Sequence, residues 1–420
     1  SKNIITKVEV VEDLIKDRPK VYRNVLPRFF AVTNGLETNN GRVYPLGGIS
    51  NITTILDNEN GYYPSIKTDE FGFNNPKGLY RKGEVDVILI GDDIAEGLSV
   101  NADETIGAVL RENGLRAISI GKGGNGPLLE YAALKEYAKP FQSFVVLWLY
   151  FDNDIFRDLR RETAAKSSIL LRYLNDDQFS QNLIARQDEI DSVLINYVGQ
   201  REKERQNEIK NKQKDKIINH WTIRILKLTN LRTRISLALP PTPLLKPKLH
   251  IFRKILKKTK REVLDWGGRV YFVYLPSYTS LYDSKSNSEK EHYREIVFQI
   301  VEEFNIPIID IQREVFVDQV DPKSLFSSNE HYNAGGYRLV AETIYKRLKA
   351  DKIEEQNHSE PSDETKADKS FQNEKEEYYN QLFHTKLISF TFDNIVDPGD
   401  LDIPWAIEFL PNDDMLVTER

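Results

Sequence analysis

Five short apolar runs stand out along the middle of the chain: VDVILIG (85–91), RAISIG (116–121), FVVLWLY (144–150), RVYFVYL (269–275) and IPIIDI (306–311). Each is hydrophobic at almost every position instead of alternating, the pattern of strands buried on both faces of a parallel sheet. Between the runs the apolar spacing lengthens to three and four residues, which predicts helices over 103–113, 126–138, 248–266, 289–304 and 333–350. In the last of these, Tyr337, Val340, Ala341, Ile344 and Tyr345 share one stripe, and Lys and Arg gather toward the end that the helix dipole favours for cations. Strands alternating with helices predict an α/β domain over 81–350: a three-layer, flavodoxin-like fold with a five-stranded parallel sheet.

Outside that rhythm the chain changes character. Residues 1–80 carry short apolar runs broken by NNG, GG, NENG and NNPKG, so they read as an N-terminal arm of turns and short strands packed on the domain. About 118 residues separate the third and fourth runs, far beyond an ordinary connection. A helical insertion is expected over 160–248, with one helix at 176–198 and the polar REKERQNEIKNKQKDK after it. Residues 351–380 lose the pattern and read as an acidic, disordered linker. Alternation and turn signals return in 381–420, which looks like the opening of a β structure that is cut off, since two short strands are marginal alone. The chain opens on Ser1, as a trimmed or partial product would.

Charge sharpens this division. Of the formal net charge of −6, residues 351–377 account for all, with ten acids against four bases, so the rest of the chain sums to about zero. A near-neutral body gives no footprint for nucleic acid. One local patch is basic: residues 222–265 hold twelve Lys or Arg against two acids. Within it WTIRILKLTNLRTRISLAL (221–239) mixes apolar and basic positions. Two readings stand, a peripheral membrane contact or an apolar side that covers the sheet. The absence of cysteine excludes disulfides and thiolate metal sites.

In a parallel α/β sheet, ligands bind where strands end. Four groups fall there: Asp92 and Asp93 after the first strand, the loop GKGGNG (121–126) after the second, Asp152, Asn153 and Asp154 after the third, and His331 before the last helix. The glycine loop fits neither the dinucleotide fingerprint nor the phosphate-binding loop of nucleotidases, so no cofactor is expected; its glycines serve either oxyanion binding or tight packing. Asn153 offers a neutral amide donor or a cap, and Asp154 suits a helix cap. His331 is one of six histidines and the only one in this cluster; it is either a base or a ring packed on Tyr332 and Tyr337.

These blocks resemble the SGNH, or GDSL-like, hydrolase superfamily: GDD at 91–93, Gly124 in the second loop, Asn153 in its Asn-Asp pair and His331 before the final helix. The strings GFNNPKG (72–78), GGNGPLLEYAALKEY (123–137) and HYNAGGYRLVAETI (331–344) extend the resemblance over roughly 60–350, nearest to the branch concerned with O-acetylation of bacterial polysaccharides. The resemblance implies a sheet that carries acyl-ester chemistry, with Gly124 and Asn153 as oxyanion donors and His331 as base. Asp93 stands where that family has its serine nucleophile, and Ser328 where it has the aspartate three residues before the histidine. An Asp93–His331 ion pair is therefore expected, raising the histidine pKa and leaving acyl-serine turnover without its attacking hydroxyl. Several readings follow: a scaffold that binds an acylated carbohydrate or small ester without turnover, an altered chemistry in which Asp93 or Asp92 directs a water with His331, or a noncatalytic assembly protein of polysaccharide export. A hard divalent ion held by Asp92, Asp93, Asp154 and His331 is a further alternative without a supporting spacing, and Ser99 lies outside the turn. The implied setting is the bacterial envelope or periplasm, with the cytoplasm left open.

The tail carries a second resemblance. DLDIPWAIEFLPNDDMLVTER (400–420) is similar to the opening of quinoprotein glucose/sorbosone dehydrogenases, six-bladed propellers, through Pro404, Trp405 and the LVTER string. It covers too little of such a propeller to imply that activity here.

Overall fold

The computed structural model describes residues 20–152, 154–164, 168–218, 248–282, 287–317, 321–327 and 331–357, with Val10, Leu14 and Gln319 and short strands at 384–385, 388–389, 404–409 and 415–419. Asn153, Ser328 and the basic segment 221–239 lie outside the described residues. The chain divides into two units, Ser1–Lys352 and Ile353–Arg420.

The arm is built of short pieces. Strand β1 (Val21–Arg23) pairs in parallel with β4 (Thr53–Ile55), which pairs antiparallel with β5 (Ser65–Lys67), and β2 (Leu36–Thr38) forms a hairpin with β3 (Gly41–Val43). These are the turns and short strands the sequence predicts. The domain sheet then holds β6 (Val87–Gly91), β7 (Ala117–Ser119), β8 (Val145–Phe151), β9 (Arg269–Leu275) and β10 (Ile308–Asp310). All its pairings are parallel, in the order β7-β6-β8-β9-β10. This is the doubly wound order of flavodoxin-like folds, and it places a switch point between β6 and β8, where ligands settle in such sheets.

Alternate residues of each strand enter different apolar layers. From β8, Val146, Trp148 and Tyr150 join the helices at 127–138, 249–265 and 287–302, while Leu147, Leu149 and Phe151 join those at 106–112 and 334–357. Burial on both faces explains why these strands read as continuous hydrophobic runs. The arm shares the first layer: Phe71 and Phe73 pack on Tyr137 with ring centroids 5.6 and 5.0 Å apart.

The insertion is helical, as expected, but its long helix starts later and runs further than the 176–198 expected. Its described part forms a helix at Ile169–Asn175 and a 32-residue helix at Gln187–Ile218 that runs through the polar segment. Residues 176–186 stay irregular because buried Glu136 collects their donors: its carboxylate accepts from Gln181 N (2.6 Å), Leu183 N (3.0 Å) and Ser180 Oγ (3.0 Å). A carboxylate that satisfies successive backbone N–H groups competes directly with the helix. The last helix, Ala334–Asn357, extends into the segment expected to be linker. In the second unit, Pro404–Phe409 and Met415–Glu419 form an antiparallel pair, and residues 384–385 and 388–389 a shorter one. Among the described residues no helix is long and apolar enough to cross a membrane.

Candidate functional site

The two adjacent carboxylates after β6 have different tasks. Asp92 is buried and caps the short helix Asp93–Glu96, its carboxylate accepting from Ile94 N at 3.2 Å. Asp93 is the first residue of that helix and is only partly covered. Its carboxylate makes no hydrogen bond or ion pair among the described residues, and neither does its backbone N–H. Burial pushes the Asp93 pKa up; Glu96 and Asp158 add to the rise, while His331 and Arg28 pull it down. Asp92 is raised further, by burial first and the Asp93 charge second.

The second loop lies against Asp93. A β-carbon on Gly123 would stand 2.7 Å from Asp93 Oδ1, so glycine is what lets loop and carboxylate touch. The Gly123 N–H donates to Glu96 Oε2 at 2.7 Å and is therefore occupied. Gly124 sits at φ +67°, its carbonyl accepts from Arg161 Nη2 at 2.5 Å, and its N–H has no acceptor among the described residues. That leaves the N–H groups of Asp93 and Gly124 as open donors. Beneath them lies a buried cluster. Lys122 Nζ meets Glu96 Oε1 at 2.5 Å and Asn24 Oδ1 at 2.9 Å, and Asn24 Nδ2 also donates to Glu96 Oε1, at 2.9 Å. The short helix after β8 pins the loop from the other side. Glu162 accepts from Gly126 N (2.6 Å) and Leu128 N (3.0 Å), and burial pushes its carboxyl up to about 8.

His331 closes the site, but its partner is not the one expected. Its Nδ1 lies 2.8 and 2.9 Å from the two carboxylate oxygens of Glu59, a residue of the arm, and Ser327 Oγ donates to the same carboxylate at 3.0 Å. The expected Asp93–His331 contact pair is thus corrected: among the described residues the ion pair is with Glu59, and Asp93 acts on the imidazole through space. The ring stands against Phe151, centroids 5.9 Å apart, and not against Tyr332 or Tyr337. Burial, the largest influence, lowers the His331 pKa. The Glu59 hydrogen bond and the charges of Asp93, Glu59 and Asp92 oppose it, and the net value is raised to about 9. At neutral pH the ring is an imidazolium whose Nε2 has no partner among the described residues.

The structure places Asp93 where it acts electrostatically on His331, and the loop holding Gly124 touches Asp93 through the neighbouring Gly123, while Asn153 lies outside the described residues. Asp152 is tied away, its Oδ2 accepting from Ser277 Oγ at 2.7 Å. Sequence reasoning missed Glu59 and Arg28. The signal that could have found Glu59 was NENG, a turn whose acid has no structural need of its own. Among the described residues no group of three or more His, Asp or Glu is arranged to hold a metal ion.

No protein-family model matches the chain, and no curated protein does. Solved structures do resemble it. A lipase/acylhydrolase from Enterococcus faecalis is 11% identical, spans 64% of this chain and 96% of its own, and superposes with a TM-score of 0.35. An acetyl xylan esterase is 11% identical over 63% of this chain and 100% of its own, with a TM-score of 0.33. A two-domain esterase active on acetylated mannans is 13% identical over 67% of this chain and 52% of its own, also at 0.33. At this level of identity and superposition nothing about substrate or catalysis transfers to the chain, and its function has to be argued from its own site.

Proposed function

We propose that the strand-end site binds an acylated carbohydrate, or a related envelope glycan, without acyl-serine turnover. What supports this is the Glu59–His331 ion pair close to Asp93, the residue that by the sequence resemblance stands where the serine nucleophile would be. A base must be able to take a proton, and an imidazolium with a pKa of about 9 cannot at neutral pH. Asp93 has no hydroxyl to be activated, and its carboxylate repels the oxyanion that acyl transfer would build beside it. What remains suits hydroxyl groups, which both donate and accept: a carboxylate, an imidazolium N–H and two backbone N–H groups that have no partner among the described residues. The acylated character of the ligand and the polysaccharide O-acetylation setting come from the sequence resemblance, as does the proposed place in the bacterial envelope. The likeness of residues 400–420 to a quinoprotein propeller adds no activity to this reading.

A second reading draws on the same ion pair. Glu59 holds the imidazole as an orienting carboxylate would, so Asp93 could direct a water at an ester with His331 above it. Hydrolysis of p-nitrophenyl acetate separates the two. For the binding reading, the wild type stays at the uncatalysed background and Asp93→Ser rises roughly 100-fold above that background, because the serine supplies a nucleophile and removes a charge that holds the imidazole protonated. Wild-type turnover that vanishes in His331→Ala would replace binding by hydrolysis.

A further inference from the structure

Next to the strand-end floor, the arm and the long insertion helix enclose a cavity of about 280 Å³. Three guanidinium groups line it, from Arg23, Arg28 and Arg201, against the carboxylates of Asp57 and Glu202. Two of these charges have partners on the helix itself: Arg201 pairs with Glu204 at 2.8 Å and Glu202 with Arg205 at 2.6 Å. Arg28 differs. Its guanidinium makes no hydrogen bond or ion pair among the described residues, although it is half-buried. It is pressed against Gly124, where any β-carbon would overlap it, and stands 5.6 Å from the centroid of the Phe29 ring. Covering a guanidinium without giving it an acceptor is costly, and its planar fork fits a carboxylate through two parallel hydrogen bonds. Two rings line the same cavity: Phe29, 48% exposed, and Tyr197, held edge-on by Phe30 at 5.2 Å.

We propose that this cavity is a subsite for an acidic sugar unit of the ligand, with Arg28 taking the carboxylate and Phe29 and Tyr197 covering the apolar face of the ring. The subsite rests on the carbohydrate-binding reading above and specifies its ligand as an acidic glycan. Because Arg28 borders Gly124, one chain of sugars can reach from the cavity to Asp93 and His331.

The test is calorimetric titration of the full chain with short glucuronate, galacturonate and mannuronate oligosaccharides, each beside its neutral methyl ester. The wild type is expected to bind an acidic oligomer at least about 10-fold tighter than its ester, the worth of one hydrogen bond to a charged group. Arg28→Gln should abolish that preference. Arg28→Lys, which keeps the charge and loses the fork, should retain part of it, with thermal melting confirming that both variants fold. Equal affinity for acid and ester throughout would overturn the subsite and leave the carbohydrate reading standing. So would an acidic preference that persists in Arg28→Gln. Binding of none of these oligosaccharides, acidic or neutral, would also overturn the subsite, while the same titration with a neutral O-acetylated oligosaccharide tests the carbohydrate reading separately.

Discussion

The arm and the α/β domain meet at the site but are held by different forces. The domain rests on two apolar layers either side of a parallel sheet, where side chains such as Trp148, Leu149 and Tyr337 are fully buried. The arm contributes Phe30, Tyr44 and Phe73 to one layer, yet much of its placement comes from buried polar groups. Asp69 accepts from Phe71 N, Phe73 N, Asn75 Nδ2 and Tyr80 OH at 2.7–2.9 Å, and Asn75 exchanges hydrogen bonds with Ser119 of β7. Such bonds are directional, so the arm is fixed in orientation as well as in contact. The consequence shows at the strand ends. The domain supplies the floor, with Asp93, Gly124 and His331, while the arm supplies Arg28 and Glu59, charges that act on Asp93 and His331. A segment of irregular structure governs the electrostatics of a site built by a regular one.

The joint between the two regions offers the largest test. Lys122→Met leaves Glu96 buried without its cation, and unfolding by urea should show a loss of about 3–5 kcal/mol. Adding Glu96→Gln should recover part of it; a single variant within error of wild type would mean that the Lys122–Glu96 pair, to which Asn24 of the arm is bonded, does not hold the floor of the site. Next in size is Glu59→Gln. The His331 pKa, followed by imidazole NMR, should fall from about 9 by roughly one to two pH units, and by less in Asp93→Asn. The sign on stability follows from a folded-state pKa above the usual 6.5. The stabilisation from charged His331 is complete below that value and is lost as pH rises through about 9, a change on the order of 3 kcal/mol that Glu59→Gln should reduce. An unchanged titration in Glu59→Gln would assign the charge on the ring to Asp93 instead. The smallest effect belongs to the domain surface: Glu303→Gln breaks the exposed pair with Arg253 and should cost less than about 1 kcal/mol. A larger loss there would blur the contrast between a joint that matters and a surface that does not.

Most of the α/β architecture was legible because it follows from local period and turn chemistry. The runs at 144–150 and 269–275 became β8 and β9 almost residue for residue, and the glycine loop fell where a strand hands over to a helix. Two parts were not legible. The helix expected at 176–198 starts eleven residues late because Glu136, some forty residues earlier, draws its N–H groups away. The expected partner of His331 was Asp93, whereas the imidazole pairs with Glu59, 272 positions away.

By itself the amino-acid sequence determined the sheet, its parallel sense and the two adjacent carboxylates at the end of its first strand, since these depend on neighbours in the chain. Only tertiary structure decided that Glu59 rather than Asp93 pairs with the imidazole, and that Arg28, without a partner among the described residues, stands over Gly124. Charge interactions act through space at a few ångströms, and nothing in the spacing of residues along a chain records which distant arm will fold over the site.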